Sequence, residues 1–211
     1  PSIAYQIEQL NISNAVGYTK TMGGQDFYII SFEDGKLTYG YSEQLGEWFN
    51  LSTGVNNGRH LAQSYQFVYD KHLAIDYRDG SLIEMTYDVY GDLGDTIQRR
   101  RVLAPFNSKK LGIGAGKRLT MKKAKIMLET GVGLATGQGS KPKIMVQYSL
   151  DGGKTWSTER WINIGKMGQS LVKAEYWELV KFYDIQFRVT ISDPVFSSLH
   201  DMSIDVKAGG Y

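Results

Sequence analysis

Ser149-Leu150-Asp151-Gly152-Gly153-Lys154-Thr155-Trp156 is the stretch on which the reading of this chain turns. Its pattern, S-x-D-x-G-x-T-W, is that of a hairpin tip. Asp-Gly-Gly supplies positive-φ positions and a short carboxylate that caps the turn's own N–H groups. Ser149 and Thr155 close the turn through their hydroxyls, and Trp156 is expected to lay its ring against the adjoining core. Strand text lies on both sides. Lys143 to Ser149 leads in, and Trp156 to Ile162 leads out. Farther on, Ile185, Phe187, Val189 and Ile191 alternate with Gln186, Arg188, Thr190 and Ser192, the pattern of a strand buried on one face. Ala124, Ile126 and Leu128 alternate in the same way with Lys123, Lys125 and Glu129. The run Ser170–Phe182 fits a short helix and a strand equally well.

The tip resembles the Asp-box, a hairpin best known from the β-propellers of sialidases and other carbohydrate-active proteins. There it is a structural turn facing away from the catalytic centre. The resemblance implies β-architecture and no chemistry at Ser149, Asp151, Gly153, Thr155 or Trp156. Composition points the same way: 14 Tyr, 4 Trp and 24 Gly with only 4 Pro favour strands joined by glycine turns. The absence of cysteine excludes disulfides and thiolate metal or redox sites. No apolar run approaches the ~18 residues of a membrane span, and no secretory leader is present, so no membrane anchor is expected. Pro1 in place of an initiator Met predicts a processed product or an excised fragment.

The N-terminal half is written twice. Asp26-Phe27-Tyr28-Ile29-Ile30-Ser31-Phe32 is a strand closed by Glu33-Asp34-Gly35, with Lys36 to Tyr41 as its return. His72 to Asp76, Tyr77-Arg78-Asp79-Gly80-Ser81-Leu82 and Ile83 to Tyr87 repeat that text 45 residues later. A four-stranded propeller blade takes about 40–50 residues, so the spacing is a blade's. Two blades do not close a ring, which makes this a partial propeller. Residues 2–20 read as weakly alternating strands (Ile3, Tyr5, Ile7, then Ala15, Val16, Tyr18). Gly91 to Asp95, Ala104-Pro105 and the glycine-rich Leu111–Gly116 break the pattern. The division expected is 1–103 for the partial β-propeller and 104–211 for a β-sandwich carrying the turn at 149–156, an all-β chain with two parts.

Charge is distributed unevenly. Residues 1–95 carry 13 acidic and 5 basic side chains, whereas residues 96–128 carry 10 basic and no acidic ones. The basic block is Arg99, Arg100, Arg101, Lys109, Lys110, Lys117, Arg118, Lys122, Lys123 and Lys125. It reads as a solvated surface balancing the acidic half, or as a face for phosphate or an acidic protein. Arg99-Arg100-Arg101 falls in a stretch read as a connector.

Nothing argues for catalysis. His60, His72 and His200 are far apart and show no metal-ligand spacing. Gly112-x-Gly114-x-Gly116-Lys117 lacks both the spacing of a phosphate loop and a following helix. Asp76, Glu84, Asp88, Asp92 and Asp95 are numerous enough for a glycosidase pair or a calcium loop, but Asp88, Asp92 and Asp95 miss the calcium spacing, and turn capping explains the set. No metal, cofactor or catalytic residue is expected. A sialidase would bring several Asp-boxes and an arginine triad; one box is present.

The C-terminal text carries a more specific likeness. Thr130-Gly131-Val132-Gly133, Gly137-Gln138-Gly139-Ser140, Pro142 to Ser149, Asp151 to Ser157 and Phe187 to Pro194 together resemble the packaged-DNA stabilisation proteins of short-tailed bacteriophages, also called tail hub or nozzle proteins. Gly24 to Phe32, Gly58-Arg59-His60 and Lys71 to Gly80 are similar to the same family. The resemblance implies a structural ring, with a hexamer as its copy number, that closes the DNA channel of the virion tail and stabilises packaged DNA. Its implied partners are portal and adaptor rings, the tail needle or spikes, and packaged DNA touched without sequence preference. The family has no catalytic residues to transfer. Phe196 to Tyr211 matches no family motif. The alternative reading is a carbohydrate-binding or carbohydrate-cleaving propeller of the sialidase or depolymerase kind; a third is a nonspecific nucleic-acid binder whose affinity falls with salt.

Overall fold

The computed structural model describes residues 3–55 and 58–208. Pro1 and the terminal Gly209-Gly210-Tyr211, on which two expectations rested, lie outside them. The chain divides into two compact units between Ile97 and Gln98. The boundary expected at 103/104 therefore moves upstream, because the residues just after Gln98 are a strand of the second unit.

The first unit opens with a helix, α1 (Ile3–Glu8), where strand was expected. Ile3, Ile7 and Leu10 are half-buried while Tyr5 and Glu8 are exposed, and that i, i+4, i+7 stripe is helical. Strands β1 (Ala15–Met22), β2 (Gln25–Phe32), β3 (Leu37–Ser42), β4 (Glu47–Thr53) and β5 (Gly58–Arg59) then form an antiparallel meander in chain order. Strands β6 (Ala62–Val68), β7 (Lys71–Asp76) and β8 (Leu82–Glu84) form a second. The dipeptide-sized β9 (Gly91–Asp92) and β10 (Asp95–Thr96) pair with each other.

Both Asp-Gly texts fall in turns, between β2 and β3 and between β7 and β8, but they work differently. Gly80 takes φ 75°, the conformation glycine is suited to. In the first turn it is Lys36 that takes positive φ, at 49°. Gly35 is needed for room instead: a Cβ there would lie 2.5 Å from Cδ2 of Leu10.

The second unit is a β-sandwich. One sheet holds β11 (Arg99–Val102) and β12 (Phe106–Asn107) along one side of β17 (Asp184–Ile191), then β14 (Lys143–Ser149) and β15 (Arg160–Asn163). The other is β16 (Ala174–Phe182), β13 (Leu119–Leu128) and β18 (Leu199–Ala208), with β13 central. The stretch 170–182, open between helix and strand, thus ends in a nine-residue strand. The segment after Phe196 that matched no motif supplies β18, paired along the length of β13.

The inward faces are the ones the alternation marks. Ile185, Phe187, Val189 and Ile191 are buried on β17. On β13 the buried side chains are Leu119, Met121, Ala124 and Ile126. The step from Met121 to Ala124 breaks the two-residue period because a bulge falls between Met121 and Lys123. Leu119, Ile144, Val146, Tyr176, Phe187 and Val195 belong to one continuous apolar cluster.

Candidate interaction surfaces

The turn at 149–156 is closed by its own polar groups. Asp151 accepts the Thr155 N–H at 2.9 and 3.0 Å, the Thr155 hydroxyl at 2.6 Å and the Ser149 hydroxyl at 2.7 Å. The Gly153 N–H donates to Ser149 Oγ at 2.8 Å, with Gly152 and Gly153 at φ 72° and 88°. The Thr155 hydroxyl and N–H, with that of Ser149, hold the Asp151 carboxyl well below the usual carboxylate range. Every acceptor position of the carboxylate faces a donor within the turn, which leaves it no part in acid–base chemistry.

Trp156 departs from expectation. It is half-buried and outside the sandwich cluster, with the Arg188 guanidinium 4.3 Å from its ring centre. Arg188 points outward from β17, so the indole lies on the outer face of the sheet. Cation–π stacking, not core packing, holds it there.

The basic block is continuous in sequence and divided in space. Arg99, Arg100 and Arg101 form an edge strand, not a connector, paired with Ile191, Thr190 and Val189. Arg99 turns back on its own unit: its guanidinium donates to the Val195 carbonyl at 2.6 Å, Ser197 Oγ at 2.9 Å and the Asp193 carbonyl at 2.5 Å. Arg100 and Arg101 are exposed. Lys109 and Lys110 are exposed in the turn after β12, where Lys110 Nζ stands 5.7 Å from the Phe106 ring centre. Lys117 and Arg118 are exposed just before β13, and the Lys117 N–H is anchored to Ser108 Oγ at 3.1 Å. Lys122 is exposed at the bulge. Lys123 lies 3.4 Å from Glu175 and over the Trp177 ring, opposite Asp205 on β18. Lys125 stands between Glu175 and Ser203 in the register. Cross-strand carboxylates thus offset part of the block on the β13 sheet.

In the first unit three of the five candidate carboxylates have partners. Asp76 is fully buried and grips the Arg78 fork at 2.7 and 3.1 Å, and that hydrogen bond lowers its pKa. Glu84 pairs with Lys71 at 2.8 Å. Asp92 accepts the Thr53 hydroxyl while burial raises its pKa. Asp88 and Asp95 are exposed. The structure gives these five groups separate roles. His60 Nδ1 accepts the Ala62 N–H at 3.2 Å, and burial, with the charge of Lys20, pulls its pKa down to about 4. His72 bonds the Tyr65 hydroxyl at 2.7 Å, and His200 lies 3.8 Å from Glu129. Among the described residues no group of three or more His, Asp or Glu could hold a metal ion, and no helix is long and apolar enough to cross a membrane.

Two features escaped the sequence reading. Arg59 is buried, its guanidinium 4.3 Å from the Tyr77 ring centre and bonded to Glu33 and Gln63. Arg188 and Trp161 share the outer face of the β11–β17–β14–β15 sheet. Alternation placed Arg188 outward, but only the register through β14 brings Trp161 to the same face.

Residues 114–207 match the family described as bacteriophage P22 Gp10, beta-sandwich. The match runs from the loop before β13 to the end of β18 and includes the turn at 149–156. It bears out the resemblance read from the C-terminal motifs. No curated protein matches the chain.

Proposed function

Residues 114–207 being a β-sandwich of the bacteriophage P22 Gp10 family, we propose that this chain is a structural protein of a bacteriophage tail, located in the virion. The family match is the observation that carries the reading. Within it, the chain forms part of a ring-shaped hub or nozzle that closes the DNA channel, stabilises packaged DNA and joins portal and adaptor to the distal tail. The two meanders of the first unit are blades of a propeller, and the second unit is the sandwich module. No step of this role needs catalysis.

The charges suited to packaged DNA are those in the loop before β13. Lys109, Lys110, Lys117 and Arg118 are exposed there. Arg99 and Lys123 are engaged within the sandwich. Contacts of this kind are to phosphate and carry no sequence information.

Light scattering across protein concentration and salt tests the ring: a ring-sized species of one stoichiometry is expected, and a monomer at every concentration argues against ring contacts in this chain. The DNA contact is tested by Lys109→Gln, Lys110→Gln, Lys117→Gln and Arg118→Gln together in phage. Reduced DNA retention with tails still assembled is expected; full retention would remove the loop from the channel.

A further inference from the structure

We propose that the outer face of the β11–β17–β14–β15 sheet is a binding site for an acidic oligosaccharide, with Arg100 and Arg188 taking its carboxylates and Trp161 stacking on a sugar ring. Directly paired residues share a face of a sheet. The register pairs Arg100 with Thr190, Thr190 with Met145 and Met145 with Trp161, a row running across four strands. Val102, Arg188 and Gln147 form the next row. Arg100 and Arg188 are diagonal neighbours, roughly 7–8 Å apart at the backbone.

No carboxylate closes on this arginine pair, although the charge of Glu159 reaches Arg188. Neither residue makes a salt bridge within the described chain; each is oriented by a neutral amide. Arg188 Nε and Nη2 both donate to Gln147 Oε1, at 3.1 and 2.6 Å, while Gln147 Nε2 is fixed on the Ser157 carbonyl at 2.8 Å. Arg100 Nη2 donates to Gln98 Oε1 at 2.6 Å. Trp156 holds the plane of the Arg188 guanidinium, and desolvation together with Arg100 lowers the Arg188 pKa. Folding gains little from two like charges placed side by side, and a bound anion would relieve the arrangement. The planar fork matches the two oxygens of a carboxylate.

The rest of the face selects the ligand. Trp161 is 57% exposed, an open indole on which the C–H side of a sugar ring can stack. Gln98, whose Oε1 orients Arg100, brings an amide nitrogen suited to a hydroxyl. Three strand spacings separate Trp161 from Arg100, about 14 Å, so the ligand is an oligosaccharide and not a single sugar. Single-stranded nucleic acid would need successive open aromatic planes, and here the second indole lies under Arg188. The site stands apart from the channel role proposed above and survives its failure.

Calorimetric titration of the full chain with oligogalacturonate and with an alginate oligomer tests it, with a neutral malto-oligosaccharide and dT12 alongside. Binding of at least one uronate probe and none of the neutral one is expected. Arg100→Gln with Arg188→Gln should weaken it at least tenfold, and Trp161→Ala about fivefold. Both Arg100 and Trp161 are exposed, so the R100Q and W161A single variants should keep the wild-type melting temperature even if R188Q does not. No binding of either uronate, undiminished binding by the double variant, or binding of dT12 in their place would each overturn the proposal.

Discussion

In the second unit, Leu119, Ile144, Phe187 and Val195 are sealed into one apolar cluster between two sheets. In the first, buried Ile29, Phe32 and Tyr39 stand beside buried Ser31, Thr38, Arg59 and Asp76. Among the described residues, seven apolar ones are buried in the first unit against eighteen in the second. The sandwich is therefore held chiefly by packing, which is indifferent to pH. The first unit depends more on directional polar contacts, and some of these change with protonation. The family match falls in the unit whose alternation is cleanest, where the core requirement is simplest to read.

The largest effect should come from cutting the sandwich core. Phe187 is fully buried, with edge-to-face partners in Phe106 and Tyr176 at ring separations of 6.3 and 6.2 Å. Phe187→Ala should destabilise the second unit by about 3–5 kcal/mol, read as a fall in the urea midpoint of its transition. A loss below ~1 kcal/mol would show that packing does not dominate there.

A close second is backbone strain at Gly165, in the loop after β15. It takes φ 93°, and a Cβ would lie 2.6 Å from the Gln169 carbonyl oxygen and 3.2 Å from the Gly131 nitrogen. Gly165→Ala should cost about 2–3 kcal/mol. An unchanged midpoint would mean that the loops 130–140 and 164–172 are not locked together.

The pH response should separate the units. His60 has its pKa lowered from 6.5 to about 4 by burial. The unfolded chain then binds a proton between those values that the folded chain refuses, so stability is complete above about pH 6.5 and falls as pH drops toward 4. The loss in the first unit should be about 2 kcal/mol, below the ~3 kcal/mol limit set by the shift because His60 is partly exposed. Unfolding at pH 7 and pH 4.5 should show this slope in the wild type and not in His60→Gln. The sandwich is held by its apolar cluster and should show no such slope. Equal slopes in both units would break the contrast.

What was legible in the chain follows the same division. The outward and inward sides of β17 could be assigned because one face meets the core and the other does not. Ile3-Tyr5-Ile7 misled because Ile3 and Ile7 satisfy a strand's spacing and a helix's alike, and only Leu10 decides between them. Arg99-Arg100-Arg101-Val102 has no alternation to read. It is a strand because β17 offers it a free edge, and charged edges are a common protection against further pairing. Gly35 closes its turn without a positive φ, and its missing side chain makes room for a residue 25 positions earlier. Arg188 and Trp161 are 27 residues apart, and nothing local says that β14 aligns them.

The smallest effect, and the sharpest check on the motif that opened the reading, concerns Asp151. Its carboxylate is held below the usual range by donors from Thr155 and Ser149, with the Lys154 backbone N–H adding to them. A group with a lowered folded pKa contributes stability above its unfolded value near 3.8 and loses it as pH falls through the lower folded value. The turn should thus stay closed through the window in which His60 weakens the first unit, and open only at more acidic pH. Asp151→Asn removes the charge but keeps one acceptor. It should leave the sandwich transition nearly unmoved while speeding hydrogen exchange at the Thr155 amide, because the turn lies at the surface and the core does not depend on it. A carboxyl titration measured by NMR at an ordinary aspartate value would show that these four hydrogen bonds do not hold together in solution. A large fall in the sandwich midpoint would instead make the turn a part of the core's stability, and the separation between polar closure and apolar packing would fail inside the unit where it is drawn most clearly.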